Sequence, residues 1–213
     1  MLVPNIEVVD VANTANILEL LQDVSVHSIA CVNWKEEYPY KPDVSFKIAH
    51  NGSYLFLQFF VEEQEIMALA ENDNGPVWKD SCVEFFISFN NSPSYYNLES
   101  SCIGKVLLGY RKDKSDSAHA GQQTLESIKR YPSLGTSNFD KKEGDFKWNI
   151  LLVVPASAFW MSEIETFKGL EARANFYKCG DNLSTPHFLS WSPIKYHKPN
   201  FHLVDYFDTI KFE

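Results

Sequence analysis

The most constraining feature of this sequence is a pair of alternating apolar runs separated by a tight turn signal. Residues 44–49 and 54–61 flank the dipeptide Asn51-Gly52. An Asn-Gly pair between two alternating runs is a strong hairpin signal, because both residue types tolerate the positive φ angles of a two-residue turn. These residues therefore predict two antiparallel strands joined by a tight turn.

Residues 80–89 continue the period of two. Phe85 and Ile87 fall on one side of the predicted strand, and Glu84 and Phe86 fall on the other. Five more short runs bordered by turn residues read as strands: 95–102, 105–110, 147–154, 170–178 and 187–191. Many short strands without long alternating helices predict a mainly β protein, an antiparallel two-sheet β-sandwich.

One helical pattern lies near the N-terminus. Residues 11–22 combine a candidate N-cap, Asn13, with an apolar stripe formed by Ile17, Leu18, Leu20 and Leu21. A chain of 213 residues is about the size that folds around one hydrophobic core. We therefore expect a single domain over 1–213, with 1–24 as an N-terminal extension that carries the short helix. The polar stretch 111–126 is expected to form a long loop.

Composition excludes several classes of function. The 28 acidic residues outnumber the 19 basic ones and give a net charge of -9, which argues against nucleic acid as a partner. No run of 18 apolar residues occurs, so we expect no membrane span. The N-terminus lacks a basic region followed by an apolar one, which predicts a cytoplasmic protein, or a secreted or periplasmic one if a leader has been removed.

The cysteines and histidines give no strong site signal. Four cysteines, at positions 31, 82, 102 and 179, are widely spaced without a CxxC pair. Free thiols are favoured, and one disulfide of unassigned pairing stays open. The six histidines are scattered and include no helical i, i+4 pair, so no histidine metal site is indicated.

The common catalytic motifs are absent. The sequence contains no GxSxG, no GxxxxGK[ST], no GxGxxG and no HExxH. Carboxylates are plentiful, however, and Glu84 and Glu99 lie on predicted strands that could be neighbours. A glycoside hydrolase needs two carboxyl groups across a sugar-sized cleft. This pair keeps an enzymatic alternative open.

Polar and aromatic residues share strand parity on several predicted strands. Asn97 and Glu99 lie on one side of their strand, and Arg173, Asn175 and Tyr177 lie on one side of another. Such a mixture suits a sugar, whose C–H faces stack on aromatic rings and whose hydroxyls bond to charged and amide groups. A solvated sheet face with ordinary cross-strand pairs is the alternative interpretation.

Two tryptophans lie where predicted strands begin or end. Trp78 follows Gly75 and Pro76, and Trp191 lies between two serines and precedes Pro193. A tryptophan is more often a core residue than a ligand platform. Its position at a strand end beside Gly and Pro makes the two roles about equally plausible.

Several stretches together resemble carbohydrate-binding module family 9, within the DOMON-like superfamily. Residues 77–86 (VWKDSCVEFF) carry the most specific part, and the order of the others matches from about residue 25 to the end. The supporting stretches are 95–99 (YYNLE), 173–180 (RANFYKCG), 187–193 (HFLSWSP) and 199–202 (PNFH).

The resemblance implies a β-sandwich that holds a terminal sugar in a slot between two tryptophans. Trp78 matches the first platform, Glu84 matches an acid that binds hydroxyls, and Trp191 is the candidate for the second platform. Arg111 or Lys105 matches the basic contact, and Asn175 and Tyr177 fit the polar wall. The family also implies structural calcium and a role in polysaccharide catabolism, with a plant-type glucan or xylan fragment as the partner.

We therefore expect non-catalytic carbohydrate binding. Its alternatives are a glycoside-processing enzyme that uses Glu84 and Glu99, and a protein-interaction sandwich with a vestigial sugar slot. A haem role is disfavoured because only Met67 and Met161 lie outside the N-terminus. The expected carbohydrate-binding residues are Trp78, Glu84, Asn97, Arg111, Arg173, Asn175, Tyr177 and Trp191.

Overall fold

A computed structural model describes residues 1–112 and 117–213 of the chain. The described residues form fourteen strands and two α-helices. The strands are β1 Leu2–Val3, β2 His27–Ser28, β3 Cys31–Val32, β4 Asp43–His50, β5 Tyr54–Ala68, β6 Cys82–Phe89, β7 Tyr95–Ser101, β8 Val106–Arg111, β9 Ser117–His119, β10 Lys129–Pro132, β11 Phe139–Pro155, β12 Glu171–Cys179, β13 Phe188–Ser190 and β14 Asp208–Phe212. The helices are α1 Thr14–Leu20 and α2 Gln122–Ser127.

The strands form two sheets, as the sequence predicts. The larger sheet has the order β1-β14-β12-β6-β7-β8-β9, with β13 joined to β12 and β3 joined to β13. The smaller sheet has the order β10-β11-β5-β4-β2. Every described strand pairing is antiparallel except the short parallel contact of β1 with β14. The mainly β two-sheet fold is confirmed.

The main core lies between the two sheets and follows the predicted alternation. Phe85 and Ile87 of β6 join this core together with residues of β4, β5 and β11. The rings of Phe46 on β4 and Phe176 on β12 stack across the layer at 3.7 Å between centroids. Because successive side chains of a strand point to opposite faces, Glu84 and Phe86 lie on the outer face of the larger sheet.

The predicted hairpin is present, but its strands are longer than the apolar runs. Gly52 adopts a φ of 90°, and Asn51 Oδ1 accepts a hydrogen bond from the Tyr54 amide (2.9 Å). The pairing of β5 with β11 extends to Ala68 and Phe139 through two register shifts. Backbone hydrogen bonds between β5 and β11 continue beyond the residues where apolar alternation stops. The hydrophobic pattern alone therefore could not locate the ends of these two strands.

The N-terminal helix is shorter than predicted. Asn13 is the N-cap, since its side chain accepts from the Asn16 amide at 3.1 Å. A residue that caps a helix lies outside it, so α1 begins at Thr14. Ile17 and Leu21 are buried as expected, whereas Leu18 is 39% exposed and does not belong to the apolar stripe. The segment lies against the sandwich, where the Ile6 amide donates to the His50 carbonyl (2.7 Å).

A buried ion pair joins the two sheets at one end. Lys178 Nζ of β12 lies 2.8 Å from Glu63 Oε2 of β5, and both side chains are fully buried. Trp148 Nε1 donates to Glu63 Oε1 (2.7 Å), and Lys178 Nζ donates to His187 Nε2 (2.8 Å). Burial and the Lys178 charge lower the pKa of His187 to about 2, so this histidine is neutral.

The polar stretch 111–126 was predicted to be a long loop, but much of its described part is regular secondary structure. It contains β9 and most of α2, and residues 113–116 of that prediction lie outside the described part of the chain.

No helix in the described ranges has the length and apolar character needed to cross a bilayer.

Candidate functional site

A cavity of about 270 Å³ opens on the outer face of the larger sheet. Its floor is formed by side chains of β6, β7, β8 and β12, and its walls come from the residues before β6 and the segment after β13. The lining residues are Trp78, Glu84, Glu99, Leu107, Arg111, Cys179, Asp181, Phe188, Pro199, Asn200, Phe201 and His202. This cavity brings together three of the predicted site residues, Trp78, Glu84 and Arg111.

Two carboxyl groups lie side by side on the cavity floor. Glu84 of β6 and Glu99 of β7 are directly opposite each other in the strand register, which places their Cβ atoms about 5 Å apart. Both residues are almost fully buried. Asn97, two positions before Glu99 on the same face, donates from Nδ2 to Glu99 Oε1 (2.8 Å) and so orients that carboxyl. Glu99 Oε2 has no hydrogen-bond partner among the described residues.

The surroundings favour the protonated form of both carboxyl groups. Burial raises the pKa of Glu84 well above its usual value, and the neighbouring Glu99 charge adds to this effect. Burial also raises the pKa of Glu99 to about 7, against the opposing effects of the Asn97 hydrogen bond and the Arg111 charge. Since two adjacent buried carboxyls cannot both be ionised cheaply, the pair retains a proton near neutral pH.

Charged groups from other strands complete the polar part of the cavity. Arg111 ends β8, and its buried Nε has no hydrogen-bond partner among the described residues. Asp181 follows β12, and burial raises the pKa of its carboxyl to about 6. The cavity therefore offers both hydrogen-bond donors and acceptors to a bound molecule.

Trp78 is held at the cavity by backbone contacts with the end of β12. It is the central residue of a 3-10 turn, Val77–Lys79, which follows Gly75 and Pro76. Its carbonyl accepts a hydrogen bond from the Asp181 amide (3.3 Å), and Cys179 Sγ lies 3.5 Å from the same oxygen. Trp78 is half-buried and packs against a hydrophobic cluster on the outer face of the larger sheet, so part of the residue is available to a ligand. The buried members of this outer-face cluster are Trp34, Ala70, Val77, Cys82, Phe86, Tyr95, Leu107, Tyr177, Cys179, Ile194, Phe201 and Phe207.

The cavity lining contains aromatic residues besides Trp78, and Trp191 is not among them. Phe201 stacks on the buried ring of Tyr177 with 4.2 Å between centroids, and the Tyr177 hydroxyl donates to the Phe201 carbonyl (3.2 Å). His202 follows Phe201 in the chain, and its Nδ1 lies 3.0 Å from the Tyr95 hydroxyl. Tyr177 therefore supports the cavity lining from beneath instead of lining it.

Trp191, which was expected to form the second tryptophan platform, does not line the cavity. The Trp191 ring packs edge-on against Phe46 and Phe176, with 6.3 and 5.6 Å between centroids, and both partners belong to the core between the sheets. The Trp191 amide also donates to the Phe176 carbonyl (2.9 Å). Its ring thus lies on the other side of the sheet from the cavity, where it cannot face Trp78.

Three polar residues predicted for the site also do not line the cavity. Asn97 acts through Glu99, as described above. Asn175 uses its amide to hold neighbouring backbone, donating to the Ser192 and Tyr206 carbonyls (3.0 and 3.2 Å) and accepting from the Ser192 amide (2.9 Å). Arg173 lies farther along β12, where it donates to the Ser92 carbonyl (3.4 Å).

The alternative basic contact, Lys105, is not part of the lining either. It lies in the turn between β7 and β8, where its amide donates to Ser101 Oγ (3.2 Å). The register of β7 with β8 pairs Arg111 with Tyr95 at the other end of the hairpin. Arg111 is therefore the basic residue of the cavity.

Sequence reasoning missed eight residues that line the cavity, among them Asp181, Phe188, Phe201 and His202. The stretch 199–202 does carry part of the family resemblance, which was a usable signal for the last two. Asp181 gave no signal, because it follows the end of β12 in a turn whose direction the strand pattern does not define. Phe188 lies in β13, and only the pairing of this strand with β12 directs it to this face.

Among the described residues, one group of at least three His, Cys, Asp or Glu side chains could hold a metal ion, and it consists of Cys82, Glu84 and Cys179. Calcium binds six to eight oxygen ligands, whereas two of these three donors are sulfur. This donor set does not fit calcium.

The chain has relatives among protein families and solved structures. A family model described as carbohydrate-binding family 9 matches residues 14–212. No curated protein matches the chain. The crystal structure of a candidate carbohydrate-binding protein from Bacteroides uniformis ATCC 8492 is 39% identical in sequence, with a TM-score of 0.96, and the match covers 100% of this chain and 98% of that one.

Two other solved structures share the fold at 11% identity. Both are of a family 9 carbohydrate-binding module from Caldicellulosiruptor kristjanssonii. The complex with glucose has a TM-score of 0.57 and is matched over 100% of this chain and 95% of its own. The complex with cellotriose has a TM-score of 0.59, with 100% and 93% covered.

The two-sheet architecture is thus that of a family of β-sandwich binding modules. Because the family model spans almost the whole chain, this protein belongs to carbohydrate-binding family 9.

Proposed function

We propose that this protein binds carbohydrate without converting it chemically, and that the cavity beneath Trp78 holds one sugar unit. The observation that carries the proposal is the combination of an aromatic ring with buried, incompletely bonded polar groups in one small cavity. The Trp78 ring stacks on an apolar sugar face, while the Glu99 carboxyl and the Arg111 guanidinium bond to hydroxyls. Glu84 contributes a second carboxyl to the same floor.

A neutral glucan end is the ligand that we favour. The volume of the cavity suits a monosaccharide unit better than a long chain lying across a flat surface. The glucose and cellotriose named with the two Caldicellulosiruptor kristjanssonii structures support the same choice. A xylan fragment is the second candidate, since its ring offers the same C–H faces and lacks only the hydroxymethyl group.

The buried carboxyl pair also gives some support to an enzyme. Carboxyls with raised pKa values in a cavity are candidates for acid–base roles. Glycoside hydrolases, however, place their two carboxyls on either side of the scissile bond. Glu84 and Glu99 lie side by side on adjacent strands, an arrangement that favours binding over hydrolysis.

A thermal-shift screen tests the proposal. Glucose, cellobiose, cellotriose, xylobiose and galactose are added to the chain, and a sugar at about 100 times its Kd adds roughly 2.7 kcal/mol of stability. For a domain of this size that raises the Tm by about 5–10 °C. We expect Trp78→Ala to abolish the shift, and Tyr196→Ala, which removes an exposed ring outside the cavity lining, to retain it.

The same samples separate the alternatives. Release of reducing sugar that disappears in Glu84→Gln would replace the binding function with glycoside hydrolysis. If the folded protein gives no shift with any sugar, the carbohydrate proposal fails and the protein-interaction alternative takes its place.

A further inference from the structure

Two cysteines face each other beneath the cavity. Cys82 of β6 and Cys179 of β12 are directly opposite in the strand register. Both are buried and carry free thiols. Glu84 lies two residues after Cys82 and therefore on the same face of the sheet. Cys179 Sγ donates a hydrogen bond to Glu84 Oε1 (3.0 Å), so the three side chains form one contiguous group.

The separation of these donor atoms matches a small coordination sphere. The two sulfurs and a carboxylate oxygen all lie within 4.8 Å of one another. In tetrahedral zinc, bonds of about 2.3 Å to sulfur and 2.1 Å to oxygen place neighbouring ligand atoms about 3.6–3.8 Å apart. The observed limit of 4.8 Å is about 1 Å longer than this spacing, so the three ligand atoms must approach one another when an ion binds.

Access to this group comes from the cavity. Glu84 and Cys179 line it, whereas Cys82 lies behind them in the outer-face cluster. An ion entering through the cavity would meet three protein ligands and retain an open position toward the cavity. Three protein ligands and one exchangeable position is the arrangement of open zinc sites.

The ligand types select the class of ion. Thiolates prefer soft or borderline cations such as zinc and cadmium, and they are poor ligands for calcium and magnesium. Two thiolates and one carboxylate carry a charge of −3, so a divalent ion leaves a net charge of −1. Arg111 belongs to the same cavity lining and supplies a positive charge that compensates the remaining negative one.

Binding must release protons. Burial raises the pKa of Cys82 to about 12 and that of Cys179 well above its usual value, so both thiols are protonated in the absence of an ion. As each sulfur–metal bond forms, the S–H bond breaks, and the Glu84 carboxyl, which is itself protonated in the buried pair, loses its O–H proton when it becomes a ligand. All of these protons pass to solvent, without oxidation or reduction. The high pKa values also make these thiols weak nucleophiles, which argues against a role as a reactive redox pair.

We propose that Cys82, Cys179 and Glu84 form a binding site for zinc or a similar thiophilic divalent ion at the floor of the cavity. This site does not depend on the proposed sugar binding, because neither Trp78 nor Arg111 serves as a ligand. The two sites share Glu84, so an ion at this position also removes one carboxyl from the sugar site.

Cadmium titration of the full chain tests the proposal. The protein is kept reduced with a reductant that contains no thiol, and the thiolate-to-cadmium charge-transfer absorbance is followed in the ultraviolet. We expect saturation at one ion per chain with release of protons, displacement by zinc, and no competition by calcium or magnesium. Cys82→Ser and Cys179→Ser should each abolish the band, and Glu84→Gln should weaken binding at least about tenfold.

Cys31→Ser is the matched control, because Cys31 carries a free thiol outside this group. It should titrate like the unchanged protein. Absence of the band in the unchanged protein would overturn the proposal whether or not the cysteine variants fold. A band that persists in the folded Cys82→Ser and Cys179→Ser variants would overturn it as well. The thermal shift with sugar is read separately, so failure of the metal site leaves the carbohydrate proposal standing.

Discussion

The buried carboxyl of Glu99 should make the stability of the fold depend on pH. Its native pKa of about 7 lies above the ordinary value of 4.5. Below pH 4.5 the carboxyl is protonated in both the folded and the unfolded chain, so it does not change the free energy of unfolding. As the pH rises toward 7, the unfolded chain loses this proton while the folded chain keeps it, so the free energy of unfolding falls.

The size of the effect follows from the pKa difference. A shift from 4.5 to about 7 corresponds to about 3 kcal/mol, at roughly 1.4 kcal/mol for each pKa unit. Most of this loss, about 2 to 3 kcal/mol, should occur between pH 5 and pH 8. Glu99→Gln removes the titrating group and retains a carbonyl oxygen for the Asn97 donor, so this variant should lose less stability over the same range.

Urea unfolding at pH 5 and pH 8 measures both proteins under the same conditions. Other titrating groups contribute to both proteins, and their effects largely cancel in the comparison. Glu84 is the exception, because removal of the Glu99 charge also lowers the pKa of Glu84 and so reduces the pH dependence of the variant further. Glu36→Gln is the control, since its side chain is 92% exposed and its removal should leave the pH dependence unchanged. Equal loss of stability in the Glu99→Gln variant and the unchanged protein would refute the electrostatic argument for the cavity floor.

Three further substitutions should have distinct effects. Asn175→Ala removes the side chain that bonds to the backbone of two segments, and we expect a stability loss of about 2–4 kcal/mol by urea unfolding without direct loss of a sugar contact. Gly109→Ala places a Cβ against the Asn97 side chain, so Glu99 should lose its orienting bond and sugar affinity should fall in calorimetric titration. Glu63→Gln leaves the buried Lys178 charge without its partner and should cost about 3–5 kcal/mol of unfolding free energy, the largest loss of the three.

The strand pattern was sufficient for the architecture and for one face of the site. Period-two alternation predicted that Glu84 and Phe86 point away from Phe85, and the outer face of the sheet contains both. The same reasoning placed Asn97 and Glu99 on one side of their strand. Parity works here because the side-chain period of a strand is fixed by its geometry.

Parity could not identify which residues of that face reach the cavity. Asn175 shares a face with Tyr177, but its hydrogen bonds to the Ser192 and Tyr206 backbone depend on how distant loops return to the sheet. Parity also could not indicate where the Trp191 ring points: the residue follows β13, and it is half-buried, with its ring packed against Phe46 and Phe176 of the core between the sheets. Loop paths depend on tertiary packing, and no local period encodes them.

Lys178 shows a second limit of local patterns. A lysine in an apolar strand normally indicates an exposed position, yet its side chain is fully buried. The partner that makes this acceptable, Glu63, lies 115 residues earlier on the other sheet. Nothing near either residue in the sequence indicates the pairing.

Diffraction from crystals of the chain grown with saturating cellotriose tests the central claim most directly. The account predicts one terminal sugar ring in the cavity, stacked on Trp78, with hydroxyls bonded to Glu99 and Arg111. Sugar bound to another surface, or a cavity that contains only water at saturating cellotriose, would contradict it.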